Sequence, residues 1–256
     1  MNVTVAISTF GRPDTVLKTV ENLVDVPALV NVNDGDSRLR QQLSGMGLRT
    51  VLTDGPELFW QGMATLIRHS LTDWLLITSD EDSVIVEELP ALIAFAESKN
   101  AGVVCAPVWG NSLVKPWPPS WADRMADENP LHPSTFHDVS GYISGTLLHR
   151  QTALKHLPLI EELASQNTYV LIYTLPALVA LMGMTRNLYT YSRAVTTFGE
   201  QLPGQQEVPG SDYWERDSRK LQREHLEQFL NIVTGINPDY GAQLREAQVY
   251  EKRGWV

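Results

Sequence analysis

A chain of 256 residues, 43% hydrophobic and 20% charged with a net charge of −10, is long enough to bury a sizeable core as one large domain or two small ones. Its acidity disfavours non-specific attachment to nucleic acid or to anionic lipid. A single cysteine, Cys105, excludes an internal disulfide framework and a cysteine-based zinc site, and within AGVVCAPV it reads as a small buried apolar residue.

The start, MNVTVAIS, has no basic region ahead of a long apolar stretch, so no signal peptide is expected. Val3 to Ser8 is rich in β-branched residues and predicts a strand. TVLKTVENL follows with apolar residues at helical spacing, and Pro13 and Asp14 are its start signals. Ala28 to Val32 predicts a second strand that ends in the polar turn Asn33-Asp34-Gly35-Asp36, and Arg49 to Leu52 a third. Leu58 to Ser70 reads as a helix and Trp74 to Thr78 as a fourth, central strand. Val84 to Lys99 reads as a helix that its internal proline bends or breaks, and Ala101 to Pro107 as a fifth strand. Strands alternating with helices predict βαβ units and a largely parallel sheet of Rossmann type, flanked by helices.

Beyond Trp109 the pattern changes. Gly110 to Val139 holds five prolines, Trp117, Trp121, His132 and His137; a segment this long between elements reads as a substrate-binding loop or, alternatively, as a packed irregular excursion. Ser140 to His149 (SGYISGTLLH) returns as a strand, with helical segments to Met184. The most hydrophobic stretch, Tyr169 to Met184, is shorter than the roughly 20 residues that span a bilayer and carries Pro176, so it predicts a buried helix and a cytoplasmic protein. Gly199 to Gly210 resembles a flexible connector, and helices are expected from Asp212 to about Glu251. The expected organisation is 1–110 as a nucleotide-binding half, 111–198 as an acceptor-side half of the same domain with its loop at 110–139, and 199–256 as connector and C-terminal helices.

In parallel sheets ligands bind beyond the carboxyl ends of the strands, and three polar clusters fall there: Thr9-Phe10-Gly11-Arg12, Asn33-Asp34-Gly35-Asp36 and Asp80-Glu81-Asp82. The last is unusual, because the apolar run LLIT stops on three adjacent carboxylates that repel one another unless a cation or solvent relieves them. Asp80 and Asp82, one residue apart, point the same way in an extended backbone and offer the hard oxygen ligands that Mg²⁺ or Mn²⁺ takes. The competing reading is an acidic turn that caps the next helix.

VTVAISTFGRPDTVLKTVENL resembles the opening of the family 2 type of GT-A glycosyltransferases, in which the first strand ends in a Pro-Thr-Tyr-Asn-Arg-like turn; here it reads Ser8-Thr9-Phe10-Gly11-Arg12. VNVNDGDS resembles the family's second strand and its Asp-Asp-Gly-Ser turn, with Asn33 in place of the first acid. SDEDS stands where the family's Asp-x-Asp follows the fourth strand, and SGYISGTLLHR resembles the later strand before the acceptor-side helix. The resemblance covers about 1–110 and 140–156. It implies a GT-A-like fold and a nucleotide-diphosphate sugar, UDP-sugar foremost, as donor. Thr9, Phe10 and Arg12 would lie against base and ribose, Asp34 would accept from the base, Asp80 would face ribose or metal, and Asp82 would ligate Mn²⁺ or Mg²⁺ on the diphosphate.

The resemblance further implies inverting transfer of a hexosyl group, with a carboxylate base taking the acceptor proton. The acids the family carries on the helix after the later strand are absent here. Glu161 and Glu162 come too early and Ser165 to Gly183 contains none, so Asp138 is the first substitute, with Asp212 and Asp217 behind it. In the tail, YWERDSRKLQREH resembles the Trp-x-x-Arg-Asp ending of some small relatives. Arg216, Arg219, Lys220 and Arg223 read there either as a clamp on the diphosphate or as a solvated face with helical charge pairs; His225 or His137 would complete a metal site. The acceptor is expected to be a saccharide hydroxyl, the second choice being a hydroxymethylated DNA base stacked on Trp117 or Trp121, which the net acidity disfavours. Rival readings are a sugar nucleotidyltransferase, for which STFGRPD has too few glycines, and a non-catalytic sugar-nucleotide binder.

Overall fold

The computed structural model describes residues 1–53, 59–109, 116–117, 129–136, 140, 143–166, 174–199 and 218–246. Its first half is built from β1 (Val3–Thr9), α1 (Pro13–Val20), β2 (Ala28–Val32), α2 (Ser37–Gly45), β3 (Arg49–Leu52), α3 (Phe59–His69), β4 (Trp74–Ser79), β5 (Ser83–Val84), α4 (Leu89–Ser98) and β6 (Val103–Cys105). The remainder adds β7 (Val108–Trp109), β8 (Pro116–Trp117), β9 (Thr146–His149), α5 (Arg150–Gln166), α6 (Thr174–Gly183), β10 (Leu188–Thr190), β11 (Thr196–Thr197), α7 (Ser218–Ile236) and α8 (Pro238–Arg245).

Seven strands form the main sheet in the order β10-β6-β9-β4-β1-β2-β3. Pairing is parallel for β1 with β2 and β4, for β2 with β3 and for β10 with β6, while β9 runs antiparallel to both its neighbours. The expected α/β architecture, a mostly parallel sheet flanked by helices, is therefore present. Strand alternation loads both faces: β4 gives Leu75 and Ile77 to one apolar cluster and Trp74 and Leu76 to the other. Helices α3, α5, α6, α7 and α8 pack into the first cluster and α1, α2 and α4 into the second. Each fully buried Leu or Ile of this kind contributes about 1.5–3 kcal/mol.

Two details fix α3 against the sheet. Gly62 of α3 faces the sheet so tightly that a Cβ there would lie 2.8 Å from Ser8 Oγ and 3.2 Å from Asn31 Nδ2. At its other end α3 is closed by two arginines, since Arg150 donates to the carbonyls of Ile67 and Arg68 and Arg49 to that of His69, each at 3.0 Å.

The structure revises several boundaries. Pro90 does not bend a helix running from Val84. Ser83–Val84 is strand, Val86–Glu88 a 3₁₀ turn, and Pro90 sits in the first turn of α4, where its missing N–H is no loss. Within SGYISGTLLH, β9 begins at Thr146, where Gly145, at φ +84°, turns the chain into it. A second, four-stranded sheet, β5-β11-β7-β8, went unread in the sequence. The connector beyond Gly199 and much of 110–139 lie outside the described residues. Among the described residues no helix is long and apolar enough to cross a membrane.

Cys105, on β6, is 1% exposed, and burial pushes its thiol up to about 12 despite a hydrogen bond with Thr146. The thiolate is the reactive form. The native protein should therefore resist a disulfide reagent at pH 8, with thiol release following unfolding in guanidinium; prompt labelling of the folded chain would refute this burial.

Candidate functional site

Strand β4 ends between β1 on one side and β9 on the other, and the Asp80-Glu81-Asp82 turn leaves from that gap. The two aspartates go to opposite neighbours. Asp80, on the β1 side, accepts from Thr9 Oγ1 at 2.9 Å and from Arg12 at 3.4 Å. The same Arg12 nitrogen reaches Glu81 at 3.3 Å. Asp82, on the β9 side, accepts from Ser144 Oγ at 2.6 Å on one oxygen and from the Gly199 N–H at 3.0 Å on the other. Asp82 is 0% exposed and Asp80 6%.

These contacts answer the electrostatic problem posed by three consecutive carboxylates. Arg12 neutralises the Asp80–Glu81 side, and two donors hold Asp82, so the fold relieves the repulsion with its own groups before any bound cation is counted. Burial nevertheless drives Asp80 above the ordinary carboxylate range, against the opposing pull of the Arg12 charge and of the Thr9 hydrogen bond. From below, α1 fixes the turn's backbone: Thr19 Oγ1 donates to the Asp80 carbonyl at 2.8 Å, and Asn22, just beyond the helix, to the Val84 carbonyl at 2.7 Å.

The second polar cluster has a different local job. Asp34 accepts the Gly11 N–H at 2.7 Å on one oxygen and the Asp36 N–H at 3.0 Å on the other, tying the β1 turn to the β2 turn. Asp36 caps α2 by accepting from the N–H groups of Arg38 and Leu39. Asn33, just beyond β2, is buried and accepts from Thr53 Oγ1 at 3.4 Å. Phe10 and Arg12 are partly buried at the exit of β1.

Thr9, Arg12, Asp80 and Asp82 thus meet at one strand edge, with Phe10 and Asp34 on the adjoining turns. Asp138, Asp212, Arg216 and Asp217 lie outside the described residues, as do His137 and Trp121 and the side chains of Trp117, Arg219, Lys220, Arg223 and His225. Glu161 is engaged elsewhere, in an ion pair with Arg68. Two partners of Asp82, Ser144 and Gly199, were missed in the sequence. Their signals were slight: a serine before a glycine in SGYISG, and a glycine read as the start of a connector.

Could these residues hold a divalent cation? Donor chemistry fits a hard ion, because Asp80, Glu81 and Asp82 offer carboxylate oxygens. A carboxylate oxygen carries two lone pairs, so one hydrogen bond to it does not by itself bar a cation. Among the described residues no three His, Cys, Asp or Glu side chains converge as a metal cluster, so a complete ligand set needs groups from the ligand or from outside them.

The sequence matches no protein-family model and no curated protein. Solved structures are similar in fold. TarS 1–349 of S. aureus in complex with UDP-GlcNAc aligns over 91% of this chain and 67% of its own, with TM-score 0.61 and 10% identity. The same protein with UDP aligns over 98% and 75%, with TM-score 0.60 and 12% identity. Mannosyltransferase PcManGT from Pyrobaculum calidifontis, in complex with GDP-Man and Mn²⁺, aligns over 99% and 70%, with TM-score 0.61 and 15% identity. At these identities the likeness establishes the fold, that of GT-A glycosyltransferase structures.

Proposed function

We propose that this chain is a metal-dependent glycosyltransferase that moves a sugar from a nucleotide diphosphate, UDP foremost, to a saccharide hydroxyl. The observation that carries the reading is the Asp80-Glu81-Asp82 turn at the carboxyl end of the central strand β4, with the β1 turn and its Arg12 beside it. The fold is also that of proteins solved with UDP-GlcNAc, UDP and GDP-Man.

In this reading Asp80 and Asp82 hold Mn²⁺ or Mg²⁺, with His225 as a further ligand. Thr9, Phe10 and Arg12 lie along base and ribose. Asp34 touches the base through the lone pairs left after its two backbone hydrogen bonds. Arg216 and Lys220 close on the diphosphate. The acceptor oxygen bonds to the anomeric carbon as the bond from that carbon to the β-phosphate oxygen breaks, and the electron pair departs with the nucleoside diphosphate. The acceptor's proton passes to a carboxylate, Asp138 first and Asp217 second. A bound divalent cation supplies Lewis-acid stabilisation of the charge growing on the diphosphate. A single displacement of this kind inverts the anomeric centre.

Calorimetric titration of UDP, GDP, UDP-sugars and GDP-sugars, each with Mn²⁺ and with EDTA, tests the reading. One nucleotide should bind in a Mn²⁺-dependent way, and its sugar donor should be slowly hydrolysed when no acceptor is present. Absence of nucleotide binding, or binding indifferent to the metal, refutes it. Metal-dependent binding without any hydrolysis would instead favour a non-catalytic sugar-nucleotide binder.

A further inference from the structure

Ser144 sits just ahead of β9, is 3% exposed, and is held on three sides. Its oxygen accepts the Ser79 N–H at 2.9 Å and the Thr78 hydroxyl at 3.2 Å. A hydroxyl oxygen has two lone pairs and one proton. With both lone pairs taken, the proton has one direction left, and it goes to Asp82 at 2.6 Å. The backbone supports this aim: Gly145 follows at φ +84°, and a Cβ there would fall 2.5 Å from the Ala106 carbonyl oxygen. The chain therefore enters β9 in one conformation and presents Ser144 to the end of β4. The Gly199 N–H restrains the other Asp82 oxygen.

We propose that Ser144 is a positioning residue for Asp82: its hydroxyl, oriented by Thr78 and Ser79, fixes the rotation of the Asp82 carboxylate and so the direction from which it meets a divalent cation. This rests on the proposed metal-dependent reading. Groups that hydrogen-bond to a metal-ligating carboxylate set its orientation, and their loss commonly costs ten- to hundredfold in metal affinity. No sequence pattern marks such a residue, since a lone serine in a loop is ordinarily a turn former.

The test measures Mn²⁺ binding without nucleotide, by the loss of the free-ion electron paramagnetic resonance signal, in wild type, Ser144→Ala, Ser144→Thr and Thr78→Val. Unfolding midpoints in EDTA are recorded beside it. Ser144→Ala should weaken Mn²⁺ binding about tenfold or more, while nucleotide affinity at saturating Mn²⁺ changes less than about twofold, because the carboxylate remains and only its orientation is lost. Ser144→Thr, which keeps the hydroxyl, should restore most of the affinity. Thr78→Val removes one of the two donors that orient the Ser144 proton and should weaken Mn²⁺ several-fold; it decides the matter if Ser144→Ala fails to fold. Wild-type Mn²⁺ affinity in a folded Ser144→Ala, or in Thr78→Val when that variant decides, overturns the assignment of Ser144 alone. If wild type takes up Mn²⁺ only with UDP present, the variants are compared in UDP; a wild-type protein that binds no Mn²⁺ either way overturns the metal reading, and the assignment with it.

Discussion

Asp82→Asn should abolish metal-dependent nucleotide binding, lowering affinity by more than the roughly hundredfold upper range for losing a partner of a ligand, and should also destabilise the fold. Both effects follow from one geometry. The carboxylate receives the Ser144 hydroxyl on one oxygen and the Gly199 N–H on the other, inside a site from which solvent is excluded. An amide has a single oxygen, so one of those donors must face an N–H group. A buried donor left without an acceptor costs about 1–3 kcal/mol, or several degrees in the unfolding midpoint for a chain of this size. The two effects separate on metal removal. Arg12, Ser144 and Gly199 already answer the acidic turn, so EDTA should leave the wild-type midpoint nearly unchanged while abolishing nucleotide binding. Asp82→Asn should lower the midpoint even in EDTA. Retained Mn²⁺-dependent binding in this variant would make Asp82 a purely structural carboxylate and would remove the support for a metal at the end of β4.

The same contacts show what a sequence discloses and what it withholds. β1, β2 and β4 were legible because each is an apolar run that stops abruptly on Gly, Asp or Asn, and a buried parallel strand leaves that signature. The acidic turn was legible as an anomaly, since three carboxylates after LLIT need relief. What relieves them was not, because Arg12 lies 68 residues before Asp80 and Ser144 lies 62 after Asp82. Pairings of that separation are set by strand order, and β9 enters the sheet between β4 and β6. β5 and β11 have two residues each, too few for any periodicity, and so the strand that brings Gly199 to Asp82 was invisible. Asp34 also braces the β1 turn against the β2 turn through Gly11 and Asp36, a role that its letters in NDGD did not disclose.

Gly199→Ala should be nearly as damaging as loss of the carboxylate, although no functional group is removed. β11 pairs with β5 through Thr196–Val84 and Thr197–Ser83. Phe198 then donates its N–H to the Trp109 carbonyl and Gly199 its N–H to Asp82. The segment lies so close on the acidic turn that a Cβ on Gly199 would fall 1.4 Å from the Glu81 carbonyl oxygen and 2.5 Å from its carbon. The obstacle is backbone, and that backbone is anchored from α1 by Thr19 and from just beyond it by Asn22, so the turn has little freedom to retreat. The segment has to lift instead. Overpacking of this kind costs about 1–3 kcal/mol, and the lost Gly199–Asp82 hydrogen bond adds to it. Asp82 then loses the restraint on one oxygen, and Mn²⁺ affinity should fall about tenfold or more by analogy with other partners of ligating carboxylates. Gly235→Ala is the control: a Cβ at that position, near the end of α7, meets nothing within 4 Å, so the change should be neutral or slightly stabilising. Titration and unfolding of the two variants side by side decide the point. If Gly199→Ala matched Gly235→Ala in both measurements, the segment after β11 would not rest on the acidic turn, and Gly199 would not restrain Asp82.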